Sequence, residues 1–218
     1  MAALFALVFA STAIASSITI SDPSFETPAQ SAGGFAFITG TGWTADPAGG
    51  APVIDFPGTN QFNAVPDGNQ VAILDDFNGP GTLSQTLAAT LAANTTYTLS
   101  FFVGNDKLVP YTGYAAALTA GGVTIASDAN AVSPTAGNFL QDTITFNSGS
   151  NPAQLGQALG ITFSDLNANS VAFDLVQLDA TSTVGPPAPE PGGWMLLGAG
   201  LAALAGLNRL TRRAARVR

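Results

Sequence analysis

The sequence predicts an all-β protein built as a single β-sandwich. Three observations carry this. Between residues 16 and 185 no apolar pattern recurs at helical spacing. Short apolar or alternating runs recur instead, divided by clusters of Gly, Pro, Asn and Asp. One run alternates cleanly: Tyr97, Leu99, Phe101 and Val103 fall on one face, and Thr98, Ser100 and Phe102 on the other. That is the pattern of a half-buried strand.

In chain order, strands are predicted over Ile18–Ile20, Phe35–Ile38, Gln70–Leu74, Thr82–Leu87, Thr96–Val103, Ala115–Ala120, Val123–Ala126, Phe139–Phe146, Ala158–Phe163 and Val171–Asp179. Pro66-Asp67-Gly68-Asn69, Asn78-Gly79-Pro80-Gly81, Gly121-Gly122 and Asn147-Ser148-Gly149-Ser150-Asn151-Pro152 supply turns between them. No internal repeat is visible. The sandwich spans residues 16–180, long enough for one domain with a real core.

The two ends have a different character. Residues 1–15 are apolar, and Ala13-Ile14-Ala15 is a small-x-small site, so they read as a signal peptide cleaved before Ser16. No Lys or Arg precedes the apolar run, which departs from the usual pattern. Residues 181–191 form a linker ending in Pro186-Pro187-Ala188-Pro189-Glu190-Pro191. Residues 192–218 hold an apolar segment with Trp194, Met195, Leu196 and Leu197, then Arg209, Arg212 and Arg213. The apolar segment reads as a C-terminal hydrophobic helix of about 16 residues, shorter than the roughly 20 of a stable span. The arginines would hold its end on the cytoplasmic side.

Charge narrows the function. Lys107 is the one basic residue ahead of the tail, whereas almost all of the 14 acidic residues lie there. Nucleic acid is not a partner, because phosphate contacts need clustered Lys or Arg. Cys and His are both absent, which removes Ser-His and Cys-His catalysis. Asp75-Asp76 is the obvious carboxylate pair, but adjacent strand residues point to opposite faces, so it reads as a solvated strand end. The sequence therefore predicts a protein that is not an enzyme.

Sugar binding needs exposed aromatic faces beside polar groups. Tyr111 and Tyr114, in a loop after Pro110, and Trp43 are the candidates, with Asn105, Asp106 and Gln141 as polar neighbours. Each also has a packing reading. Asp174 raises a separate question. Alternation places it with Val176 and Leu178, and a buried carboxylate needs a partner. A bound cation, backbone N–H groups or protonation would each satisfy it.

Two resemblances add to this. The tail, with Pro189-Glu190-Pro191, a glycine-bearing apolar segment and an arginine cluster, resembles the PEP-CTERM sorting tail of bacterial surface proteins. That resemblance implies export, transient tethering in the inner membrane, and cutting by an exosortase-type membrane protease before release to the cell surface or extracellular matrix. Asp22-Pro23-Ser24-Phe25-Glu26, Gly42-Trp43, Pro66-Asp67-Gly68-Asn69-Gln70-Val71 and Phe173-Asp174-Leu175-Val176, in this order, resemble galactose-binding-like jelly rolls, including carbohydrate-binding modules. Asp22 stands where that family more often has Asn, and Asp174-Leu175 where it often has Asp-Asn. The resemblance implies a jelly roll and a structural calcium ion held by Glu26, Asp174 and Asp22, with no cofactor required. Together they imply a non-catalytic surface or matrix protein with a polysaccharide-binding face. The alternative is a structural or adhesive matrix component without a ligand pocket.

Overall fold

The structure, a computed structural model, describes residues 15–46, 53–58, 60–74, 81–166, 170–183 and 197–202. These include twelve strands: β1 (Ala15–Ile18), β2 (Phe35–Phe37), β3 (Thr44–Asp46), β4 (Val53–Asp55), β5 (Val71–Leu74), β6 (Thr82–Thr90), β7 (Thr95–Gly104), β8 (Tyr114–Ala120), β9 (Val123–Ala129), β10 (Phe139–Asn147), β11 (Ala158–Asp165) and β12 (Val171–Ser182). They form two sheets. The seven-stranded sheet runs β10-β7-β12-β5-β4-β2, with β1 beside β12, and the five-stranded sheet runs β3-β6-β11-β8-β9. All described pairings are antiparallel.

The core lies between the inner faces of the two sheets. The predicted face of β7 is confirmed: Tyr97, Leu99, Phe101 and Val103 are all buried. Across from them β8 and β11 contribute Tyr114, Leu118, Ile161 and Phe163. Aromatic rings tie the layers together: Phe163 stacks on Phe173 at 4.4 Å and meets Phe101 edge-on at 4.9 Å. Such pairs add to what area burial alone supplies.

Three departures from the predicted elements matter. The strands β3 and β4 were not predicted. Each has three residues, too few for a local periodicity to show, and each is held by register with a longer neighbour. The first strand lies a few residues earlier than expected, at Ala15–Ile18, because Ile18 pairs with Leu178 of β12. The third departure is in β12 itself. Its register on β7 shifts between Asp174 and Gln177, and Leu175 adopts a positive φ of 47°. This bulge resets the alternation. Val171 and Phe173 face the core before it, Val176 and Leu178 after it. Asp174 therefore does not share a face with Val176 and Leu178, but points with Ala172 away from the sandwich core.

Residues 197–202 are helical and belong to a unit separate from Ala13–Val184. No helix among the described residues is long and apolar enough to cross a membrane. The expected signal peptide, Asp75-Asp76, Pro189-Glu190-Pro191 and Arg209, Arg212 and Arg213 lie outside the described residues.

Candidate active site

The strands β2, β4 and β5 sort their side chains onto two faces. Ala36 pairs with Ile54, Ile54 with Ala72, and Ala72 with Phe173. Ile54, Ala72 and Phe173 join the core. The alternate residues must face the other way. They fall in two rows across the strands: Phe35, Asp55 and Val71, then Phe37, Val53 and Ile73. On this outer side a second apolar cluster of Phe62, Val71, Ile73 and Ala172 forms beneath the loop that carries Phe62.

Beside that cluster opens a cavity of about 490 Å³. Phe35, Phe37, Val53 and Ile73 line it from the sheet, and Leu108 and Val109 from the loop after β7. Phe35 and Phe37 are 63% and 59% exposed, and their rings meet edge-to-face at 6.4 Å. Two exposed phenylalanines on one edge strand are a surface liability unless something apolar covers them.

Two carboxyls reach the same cavity. Asp55 and Asp106 are both buried, and both line it. Gln61 joins them: its Nε2 donates to Asp55 Oδ2 at 2.9 Å and to Asp106 Oδ2 at 3.3 Å. The amide's orientation is fixed, because Oε1 accepts from the Gly58 backbone N–H at 2.9 Å, a group that can only donate. The Gln61 carbonyl accepts from the Lys107 N–H, which docks the loop of Asp106 against that of Gln61. Asp106 Oδ1 accepts from the Leu108 N–H at 2.7 Å. The Asp55 carboxyl is held above the ordinary carboxylate range, first by burial and further by the charge of Asp106, while the Gln61 hydrogen bond opposes the rise. Among the described lining residues none is basic. The Lys107 side chain instead lies against Gly137, where any Cβ would collide with it. The arrangement is an apolar pocket with a protonatable acid in its wall.

The residues predicted from sequence lie elsewhere. Trp43 is a core residue, packed on Phe25 at 5.2 Å and Phe163 at 5.9 Å, with its Nε1–H donating to the Asp22 carbonyl. Tyr114 is fully buried in β8, and its O–H donates to Asp142 Oδ2 at 2.6 Å. Burial and that bond to Asp142 push its hydroxyl far up. Tyr111 is half-buried and its O–H donates to the Val132 carbonyl. Trp43 and Tyr114 are core residues, since the alternation of β8 turns Tyr114 inward, and Tyr111 packs against that core.

Glu26, Asp174 and Asp22 gather at one junction, although no three acidic side chains among the described residues are arranged to hold a metal. Asp174 is completely buried; Oδ2 accepts from the Asp67 N–H and Oδ1 from the Leu175 N–H. Glu26 Oε1 accepts from the N–H groups of Asn69 and Gln70. Asp22 spends its two oxygens on the N–H groups of Glu26 and Thr27. Burial, above all, raises the Asp174 carboxyl to about 7, with the charges of Asp67 and Glu26 adding to the shift.

Sequence reasoning missed Phe35, Phe37, Asp55 and Gln61 as site residues. The alternation Phe35-Ala36-Phe37 was a usable signal. Asp55 had none, because only the pairing of β4 with β2 and β5 places it in the cavity.

Solved structures resemble this chain over the whole sandwich. A Stig cyclase, Fisc, from Fischerella sp. TAU, in complex with (3Z)-3-(1-methyl-2-pyrrolidinylidene)-3H-indole, is 29% identical, with a TM-score of 0.71 over 77% of this chain and 98% of that one. An apo cyclase from Fischerella sp. is 27% identical, with a TM-score of 0.69 over 80% of this chain and 98% of that one. A cyclase from Fischerella sp. TAU in complex with 4-(1H-indol-3-yl)butan-2-one is 29% identical, with a TM-score of 0.70 over 76% of this chain and 97% of that one. No curated protein matches the sequence. The family model of the HpiC1-like proteins, HpiC1 cyclase, matches residues 16–179.

These matches correct the expectations built on the two resemblances. The sandwich is not that of a non-catalytic PEP-CTERM surface protein with a carbohydrate-binding jelly roll, nor a matrix component without a pocket, because the family it matches is one of enzymes. The absence of His and Cys excluded nucleophilic triads, but it did not exclude catalysis by a carboxylic acid. With a family match that begins in β1, ends within β12 and encloses the whole cavity, this chain belongs to the HpiC1-like cyclase family.

Proposed function

We infer that this protein is a cyclase that closes a ring on an uncharged, apolar, indole-bearing substrate by protonating a carbon–carbon double bond. The observation that carries this is Asp55: a buried carboxyl, raised above its ordinary range chiefly by burial, opening into an apolar cavity. General acid catalysis needs a group whose proton is still present near the working pH, and burial is the usual means of keeping one on a carboxyl. The cavity volume is in the range of small-molecule sites. None of the described lining residues is basic, whereas the departure of a diphosphate would call for cationic partners. Phe35 and Phe37 offer ring faces to a flat substrate and to positive charge that develops on it. The indole ligands of the similar Fischerella cyclases support the choice of substrate class.

The test uses 3-prenylindole. Wild-type protein should convert it to a ring-closed isomer of equal mass. Asp55→Asn should lower turnover by about 100-fold or more, while 4-(1H-indol-3-yl)butan-2-one still binds. An Asp55→Asn variant that turns over at the wild-type rate would sink the assignment.

We also propose that the Glu26–Asp174 junction holds a structural divalent cation, with calcium as its best fit. Asp174 is a buried carboxyl raised first by burial and further by the charges of Asp67 and Glu26, and Glu26 brings a second hard oxygen donor to the same place. Asp22 lies beside Glu26, its oxygens likewise accepting main-chain N–H groups. Backbone carbonyls and water would have to complete the shell of about 6–8 oxygens. Bound there, the ion would offset clustered negative charge and tie the first turn to the last strand. Added calcium should raise the melting temperature of chelator-treated protein by mass action. A midpoint indifferent to calcium would refute the site.

A further inference from the structure

We propose that Asp106 is a second catalytic residue, the base that removes a proton from the ring-closed cation. The inference rests on the reading of Asp55 as the acid. It begins from a conservation requirement. A cyclisation without change of mass is an isomerisation, so a proton donated at the start must be matched by a proton lost at the end. An acid alone completes half of that sequence.

The cavity contains a second carboxyl in a suitable place. Asp106 faces the same space as Asp55, and one amide nitrogen, Gln61 Nε2, touches an oxygen of each. Gln61 donates to both, so it can hold the two carboxyls beside each other but cannot carry a proton between them. The two differ in what holds them. Asp106 takes an N–H at each oxygen, one from Leu108 and one from Gln61, so both its oxygens are set as acceptors. Burial, and further the charge of Asp106, raise the Asp55 carboxyl against the Gln61 hydrogen bond. Two carboxyls in one cavity, held by different surroundings, are a recurring arrangement of acid and base partners.

The electron count on 3-prenylindole closes. The Asp55 O–H proton goes to the side-chain alkene CH, using the π pair and leaving a tertiary cation. The indole C2=C3 pair attacks that carbon, forming the C2–C bond and moving the positive charge to C3. Asp106 carboxylate takes the C2 proton, and the C–H pair restores the indole double bond. One proton has entered and one has left. Exchange with water at the open mouth of the cavity returns Asp55 to its acid form and Asp106 to its base form.

The experiment follows hydrogen isotopes. In D2O the wild type should place one deuterium on the side-chain carbon and lose the C2 hydrogen of the probe. Asp106→Asn should slow turnover about 10-fold or more, and deuterium at C2 of the probe should slow it further. Asp55→Asn should lose turnover without any effect of C2 deuterium. A product that has gained deuterium but retained its C2 hydrogen would overturn the base step, and this reading does not depend on any variant folding. Wild-type turnover in Asp106→Asn, with Asp55→Asn inactive, would also overturn it while leaving the acid in place. Failure of the wild type to convert the probe would overturn the proposed function and this inference with it.

Discussion

Asp55 and Asp174 belong to the same sheet and the same outer face, with β5 between their strands. Both are buried, and both carboxyls are raised with burial as the first cause. Their surroundings nevertheless give them different work. Asp174 is roofed by the turn that carries Asp67 and is met only by main-chain N–H groups among its described hydrogen bonds. Asp55 is met by the side chain of Gln61 and opens into a cavity walled by phenylalanine and aliphatic residues. A perturbed carboxyl is thus no guide to catalysis by itself. What lies in front of it decides: backbone in one case, space for a substrate in the other.

The sharpest way to break this comparison is to remove each carboxyl and read turnover and stability separately. Asp55→Asn should cost about 100-fold or more in turnover, with a melting temperature unchanged or slightly raised, because burial opposes its charged form in the fold. Asp174→Ala should do the reverse. It strands the N–H groups of Asp67 and Leu175, at about 1–3 kcal/mol for each that finds no other partner. The melting point should fall by roughly 2–4 °C per kcal/mol, and protein that remains folded should keep its turnover. If Asp55→Asn melts early and Asp174→Ala folds normally but is inactive, the roles are exchanged.

The next largest effect on turnover is expected from pH. The folded-state carboxyl of Asp55 lies above its ordinary value, and the reaction uses its protonated form. Turnover should therefore fall as pH rises through the folded-state value, approaching tenfold per unit beyond it. Stability moves with the same sign. A carboxyl raised by folding contributes stability that is present below its unfolded value and lost as pH rises through the folded one. The ratio kcat/KM against pH is the measurement, and Asp55→Asn should lack this limb. A wild-type profile that is flat through and above the ordinary carboxylate range would contradict the acid.

Much of the sandwich was legible in the sequence because alternation is a local signal. Tyr97 to Val103 shows its inward face without any knowledge of its neighbours. The site was mostly illegible because it is assembled by pairing across distance. Val53-Ile54-Asp55 is too short to declare itself, and Asp55 gains its meaning only opposite Phe35. Asp106 was recognised as a polar group near aromatics, but was assigned to a sugar face built on Tyr111 and Tyr114. The bulge after Asp174 misled in another way: one extra residue moved its side chain to the opposite face. Its burial was anticipated; the surface it is buried against was not.

The smallest expected effect on turnover comes from Tyr114. Tyr114→Phe keeps the ring among Phe101 and Phe173, where it meets both edge-on at 6.1 Å. It removes the O–H that donates to Asp142 Oδ2 at 2.6 Å and accepts from the Val132 N–H at 3.3 Å. A hydrogen bond to a charged group is worth about 1.5–3 kcal/mol, so the melting point should drop by several degrees. Turnover should stay at the wild-type level, since Tyr114 does not line the cavity. Thermal unfolding and steady-state kinetics on one preparation separate the two effects. A Tyr114→Phe variant that melts normally but loses turnover would move the functional site from the outer face of the seven-stranded sheet into the core, and the contrast between Asp55 and Asp174 would no longer mark out the active site.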